Sequence, residues 1–295
     1  MSTDYESAIQ ALEATGNFRV LRRLGRRVPT VPPSATVLKR AIFLDVETTG
    51  LDPARDEVIE LAMVPFTYGD DGTIYDVGEA FQAFRQPTNP IPPEIAELTG
   101  ITNEMVAGRS IDPADVAAFA ASAVLIVAHN AVFDRGFAER LCDVFTTKAW
   151  ACSVTQIPWK DEGFPGTRLA YLASHLGFFF DGHRAVEDCL AAVELLSRPL
   201  PKAGMSAFSA LLAQARQPSW RIWAEQAPFD LRNILKARGY RWNDGTNGKP
   251  RSWWIDVARE QRDAELQFLQ REIYQAEVDL STVRITAFDR FSDRV

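Results

Sequence analysis

The chain has 295 residues, 46% of them hydrophobic and 24% charged, with a formal net charge of −7. That is the composition of a globular protein with room for one sizeable core and a smaller module. No apolar run approaches a membrane span and the N-terminus lacks an apolar leader core, which argues against membrane insertion and secretion.

The first 39 residues read as one or two short helices and then a Pro-rich lead-in, "VPTVPPSAT". The run "AIFLDVETTGLD" (41–52) begins as a buried strand. Side chains alternate faces on a strand, so Asp45 and Glu47 point the same way. Two adjacent carboxylates repel each other unless something positive sits between them, and a divalent cation is the usual answer. "EVIELAMVPF", the turn "GDDG" and "TIYDVGEAFQAFR" predict further strands. "PPEIAELTG" predicts a short helix opened by Pro and closed by Gly. Asp112-Pro113 opens an Ala-rich helix, and "AVLIVAHN" predicts a second buried strand whose far end again carries polar groups. "FDRGFAERLCDVF" has helical spacing, with Phe133, Phe137, Leu141 and Val144 on one stripe. "TRLAYLASHLGF" and "AVEDCLAAVELLSR" predict two more amphipathic helices. Strands first, then helices alternating with a strand, predict an α/β domain over one mixed sheet, residues 40–197.

"SRPLPKAG" marks a domain edge, with 198–217 as a linker. Residues 218–295 then form a Trp-rich, basic C-terminal module, a small α+β extension. Five of the seven tryptophans (220, 223, 242, 253, 254) fall within it. From Arg216 to Arg262 ten Lys/Arg face five Asp/Glu, a local charge of +5. Net acidity therefore does not exclude a polyanionic substrate. Most of these tryptophans are expected to form the module's core, with nucleic-acid binding by the basic rim as the lesser reading. "VAREQRDAELQFLQREIYQAEV" predicts a long helix ending the module, with Leu266, Leu269 and Ile273 on one stripe. Three cysteines (Cys142, Cys152, Cys189) lack metal-ligand spacing and read as small buried residues in a reducing cytoplasm.

Two further segments supply partners for Asp45 and Glu47. "HNAVFDRGF" places Asp134 at a helix start, and "GHRAVEDC" places His183 in a Gly-preceded loop and Asp188 in the following helix. Four carboxylates and a histidine suit two hard cations, Mg²⁺ or Mn²⁺, better than zinc. Singly, each acid has a plainer explanation: a solvated strand end, a helix cap, a wet helix face. Together they outweigh it. His129 and His175 read as structural.

"FLDVETTGLD", "VAHNAVFDRGFAER" and "GHRAVEDC" resemble the three motifs of the DEDDh (DnaQ-like) 3′–5′ exonucleases of the RNase H-like superfamily. "PIPPEIAELTGITNEMV" resembles the bacterial DNA polymerase III epsilon, or proofreading, branch. The resemblance runs from about residue 40 to 197. It implies an RNase H-like mixed β-sheet flanked by helices. It also implies that Asp45, Glu47, Asp134 and Asp188 hold two divalent cations, with Asp45 between them. His183 would be the general base, a task suited to a group that titrates near neutrality. Thr48 and Leu51 would contact the terminal nucleotide. The implied activity is hydrolysis at the 3′ end of DNA, on single-stranded or frayed ends, releasing nucleoside 5′-monophosphates. The alternatives are an RNA or oligoribonucleotide exonuclease and a non-catalytic adaptor for a polymerase or nucleic-acid end. Nucleic acid and a DNA polymerase are the expected partners, with no membrane.

Overall fold

A computed structural model describes residues 5–246 and 248–294 of the chain. They divide into two compact units, one comprising residues up to 214 together with 291–293, the other residues 215–290 with Arg294.

The first unit opens with α1 (Tyr5–Ala14), then an extended arm containing the short strand β1 (Arg22–Arg23). Four strands follow: β2 (Lys39–Thr48), β3 (Val58–Tyr68), β4 (Ile74–Val77) and β5 (Phe81–Phe84). Helices α2 (Pro93–Thr99), α3 (Asn103–Val106) and α4 (Pro113–Ala120) lead to β6 (Leu125–Ala128) and α5 (Ala131–Leu141). The unit continues through β7 (Ala149–Cys152), α6 (Leu169–His175), β8 (Phe178–Phe179), α7 (Ala185–Ser197) and α8 (Ala207–Ala215). Local chemistry sets several boundaries. Gly100 takes the left-handed conformation that closes α2, and the Asp112 side chain accepts the Ala114 N–H to cap α4.

Among the described residues, six strands form the main sheet, in the order β4-β3-β2-β6-β7 with β5 also on β3. β4, β3 and β2 run antiparallel, whereas β2, β6 and β7 run parallel. This is the expected RNase H-like mixed sheet flanked by helices. One face of β2 (Ile42, Leu44, Val46) joins Ile126, Phe137, Phe145 and Trp150 in the main core. The other face is covered by α7, whose Cys189 thiol donates to the Phe43 carbonyl at 3.5 Å.

The second unit has β9 (Ser219–Ala224), α9 (Arg232–Ala237), β10 (Arg241–Trp242), β11 (Trp253–Ala258), α10 (Arg262–Phe268) and β12 (Thr282–Ile285). Its four strands form an antiparallel sheet, β10-β11-β9-β12. Trp220 and Trp253 pack on a core of Ile222, Leu235, Val257, Leu269 and Ile273. Arg262 stacks on Trp220 and Arg221 on Trp254. Trp242 is half exposed.

The long closing helix expected over 257–278 is shorter and irregular, spanning 259–274. Val257 and Ala258 belong to β11. The helical stretch itself changes from a 3₁₀ turn to α10 and then to a wider π-turn over Leu269–Tyr274, and stops where Gln275 turns left-handed. Pairing of β11 with β9 claims the first residues, and the π-turn buries both Leu269 and Ile273. The unit ends with β12 rather than a helix.

Candidate active site

β6 pairs with β2 only as far as Phe43, opposite Val127, whereas β3 flanks β2 through Thr48. The last residues of β2 therefore outrun one neighbour and open a crevice at the end of the parallel strands. Open α/β sheets place their ligands at such an edge. Val46 points into the core, so alternation turns Asp45 and Glu47 toward the α7 face. There they meet Asp188, in the first turn of α7. One carboxylate oxygen from each of Asp45, Glu47 and Asp188 lies within 4.8 Å of the others.

Asp134 approaches from the opposite face. Its helix, α5, packs beneath Val46 through Ala131, Phe137 and Ala138. The buried Asp134 carboxylate accepts backbone N–H groups, that of Val46 among them, so it stands beside the close trio rather than within it. His183 lies in the loop before α7, exposed, with φ of 64°. Its backbone N–H donates to the Asp188 carboxylate, and the Arg184 N–H reaches Asp188 Oδ2 at 3.1 Å.

The charges are crowded. Burial, then the charges of Asp134, Glu47, Asp188 and Glu60, push the Asp45 carboxyl well above the usual range. Burial, then Asp188, Glu60 and Asp134, raise Glu47 to about 8, against a smaller opposing pull from Arg184. Burial raises Asp134 to about 7, resisted by its backbone donors. Asp188 rises to about 6, again by burial, with His183 pulling the other way. Partly desolvated carboxylates that resist ionisation in one another's company lack positive charge. An all-oxygen donor set with this excess of negative charge fits hard divalent cations.

Glu60 is a fifth acid at this site that sequence reasoning missed. It sits opposite Glu47 in the β2–β3 register with its side chain fully buried. Its carboxylate accepts from Gln82 Nε2 at 2.5 Å and from the Ala185 N–H at 3.4 Å, and Arg184 Nε lies 3.8 Å away. Glu60 thereby ties β3 to the N-terminus of α7, the helix that carries Asp188. The only signal in the sequence is one glutamate inside an otherwise apolar strand, "VIELAMV".

After Glu47 the register shifts by a bulge, which bends the strand end into the turn that follows. Thr48 is buried and its hydroxyl donates to the Gly50 carbonyl at 2.5 Å. Leu51 is 83% exposed and lines a cavity of about 400 Å³ with Asn130, Val132, Phe133 and Arg140. A Cβ at Gly50 would fall 2.5 Å from the Asp56 carboxylate, which accepts the Asp52 N–H at 2.8 Å, so a side chain there would have to push Asp56 aside.

The other two histidines are structural. His129 joins Ser153 Oγ (2.8 Å) to the Thr167 carbonyl (2.7 Å). Since a carbonyl only accepts, Nε2 carries the proton, and burial lowers the pKa to keep the ring neutral. His175 ends α6, with Nδ1 donating to the Tyr171 carbonyl at 3.0 Å.

A mixed sheet with an acidic cluster at the end of its central strand defines an RNase H-like domain with a candidate cation-binding site. The sequence model of the exonuclease family RNase_T matches residues 42–196, more than half of the chain, and the chain belongs to that family. Over 163 residues it is 37% identical to the PolC-type DNA polymerase III of Clostridium perfringens, covering 52% of this chain and 11% of that one. Over 171 residues it is 39% identical to the PolC-type DNA polymerase III of Bacillus subtilis, covering 55% and 11%. The chain thus spans about a tenth of the length of these curated relatives. Among solved structures, E. coli exonuclease I in complex with a dA16 oligonucleotide is similar with a TM-score of 0.47 at 17% identity, covering 75% of this chain and 63% of that one. No helix among the described residues is long and apolar enough to cross a membrane.

Proposed function

We propose that the chain is a metal-dependent 3′–5′ exonuclease of DNA that acts on single-stranded or frayed ends and releases nucleoside 5′-monophosphates. The observation that carries this is the close approach of the Asp45, Glu47 and Asp188 carboxylates at the end of β2, beside Asp134 and in front of the His183 loop. Membership of an exonuclease family supports the hydrolytic reading, and the PolC-type relatives favour DNA over RNA and a DNA polymerase as partner.

Asp45, Glu47, Asp134 and Asp188 would hold two divalent cations, Mg²⁺ or Mn²⁺. When bound, these supply the positive charge that lets a water lose its proton near neutral pH and that offsets charge building on the phosphate. His183 Nδ1 or Nε2 takes the proton of the attacking water. The water oxygen bonds to the terminal phosphorus, and the bond to the preceding nucleotide's 3′ oxygen breaks in line. That oxygen leaves with the electron pair and is then protonated. Leu51, an exposed apolar side chain, would meet the terminal base, and Thr48, at the bulge, would meet its sugar. A DNA strand labelled on its 3′-terminal nucleotide tests the polarity. Label should appear first as a free mononucleotide; label released first in longer fragments would overturn the reading.

A further inference from the structure

The His183 loop hangs between β8 and α7, and its backbone at residue 183 is left-handed, a conformation uncommon for non-glycine residues although histidine takes it more readily than most. Much of what holds this loop comes from the far end of the chain. Strand β1 of the N-terminal arm pairs in parallel with β8, Arg22 opposite Phe178 and Arg23 opposite Phe179. The Arg22 N–H donates to the Gly177 carbonyl at 3.0 Å and the Leu24 N–H to the Phe179 carbonyl at 2.8 Å. Among the described residues β8 has no other strand neighbour.

Side chains extend the grip. Arg19 donates to the His175 carbonyl. Arg23 bridges to Asp181, two residues before His183, at 2.7 Å and lies over the Phe179 ring. At the far end of the arm Arg27 reaches Glu194 (3.0 Å) and Ser197 (2.6 Å) on α7 and the Ile74 carbonyl (3.2 Å) on β4. Cavities of about 430 and 560 Å³ border the arm, so it crosses the surface as a strap and is not embedded in the core.

We infer that residues 19–27 form a strap that positions the His183 loop for proton transfer, with Arg23 and Leu24 as positioning residues. The exposed Arg23–Asp181 pair is a weak link by itself. Backbone pairing through Arg22 and Leu24 fixes β8, and with it the start of the loop. The inference rests on the proposed role of His183 as base.

Two variants of the 295-residue chain test it. Leu24→Pro removes the N–H that reaches Phe179, and deletion of residues 1–28 removes the strap. Each is assayed for kcat and KM on a short DNA oligonucleotide at saturating Mn²⁺, with His183 intact and in a His183→Ala background. Displacing a catalytic group by about an ångström costs on the order of ten- to a hundredfold, so kcat should fall at least about tenfold with KM little changed. In the His183→Ala background the same changes should have no further effect on kcat. Thermal unfolding of Leu24→Pro separates loss of fold from loss of position. An equal penalty with and without His183, or full activity in both strap variants, would overturn the inference. His183→Ala with unchanged kcat would instead refute the base itself, and is read from that variant alone.

Discussion

Glu47→Gln should make the cation-free protein more stable at pH 8 while abolishing hydrolysis. Glu47 rises from an ordinary 4.5 to about 8 in the folded chain. Between those values the folded state holds a proton that the unfolded state has released. Stability is therefore greatest below about pH 4.5 and falls as pH climbs through 8. Each tenfold in proton affinity is worth about 1.4 kcal/mol, which puts the full difference on the order of 5 kcal/mol. Solvent in the open crevice screens part of it, leaving about 2–3 kcal/mol. For a unit of this size that is a rise in Tm of about 5–10 °C. Glutamine keeps the shape and carries no charge, so the gain should appear in EDTA at pH 8 and vanish at pH 5. Saturating Mn²⁺ should reverse the order, because only the glutamate helps hold the cation. Thermal unfolding at both pH values, with and without Mn²⁺, measures all of this. A variant equally or less stable than the parent at pH 8 in EDTA would refute the electrostatic reasoning.

His183→Ala should lower kcat by about 10²–10⁴-fold, the usual contribution of a general base, with the Tm unchanged; a loss under about tenfold would remove it from that role. Glu60→Gln weakens the tie between β3 and the start of α7 and should cost about ten- to a hundredfold in activity or cation affinity, read by titrating Mn²⁺ against rate. Wild-type titration behaviour would make Glu60 a passenger. Gly50→Ala places a methyl against the Asp56 carboxylate at 2.5 Å, and the displaced turn should cost about 1–3 kcal/mol of stability. Because that turn carries Leu51, KM should rise more than kcat falls; an unchanged KM would separate Leu51 from substrate.

Much of the site was legible because strand geometry is local. The face shared by Asp45 and Glu47 follows from alternation alone, and Asp112 and Gly100 mark helix ends by their own chemistry. Asp134 and Asp188 could be picked out as acids at a helix start and within a helix, but periodicity says nothing of which helix covers which face, and only the resemblance of motifs implied their shared role. Glu60 was hidden for the same reason. It becomes part of the site only through its register with Glu47, a long-range pairing. The arm was hidden because its strand is two residues long and has no period to read. In the second unit a clean helical stripe misled: Leu266, Leu269 and Ile273 do face one core, but over a backbone that widens into a π-turn and starts only after β11 has claimed its residues.

The most direct test is digestion of matched 5′-labelled single-stranded DNA and RNA oligonucleotides with Mg²⁺, Mn²⁺ or EDTA, beside Asp45→Ala. The expected result is a ladder of DNA products shortening from the 3′ end, dependent on the cation, faster than RNA and absent from the Asp45→Ala protein. Cleavage that persists in EDTA or in Asp45→Ala, or no cleavage of either polymer under any of these conditions, would contradict it.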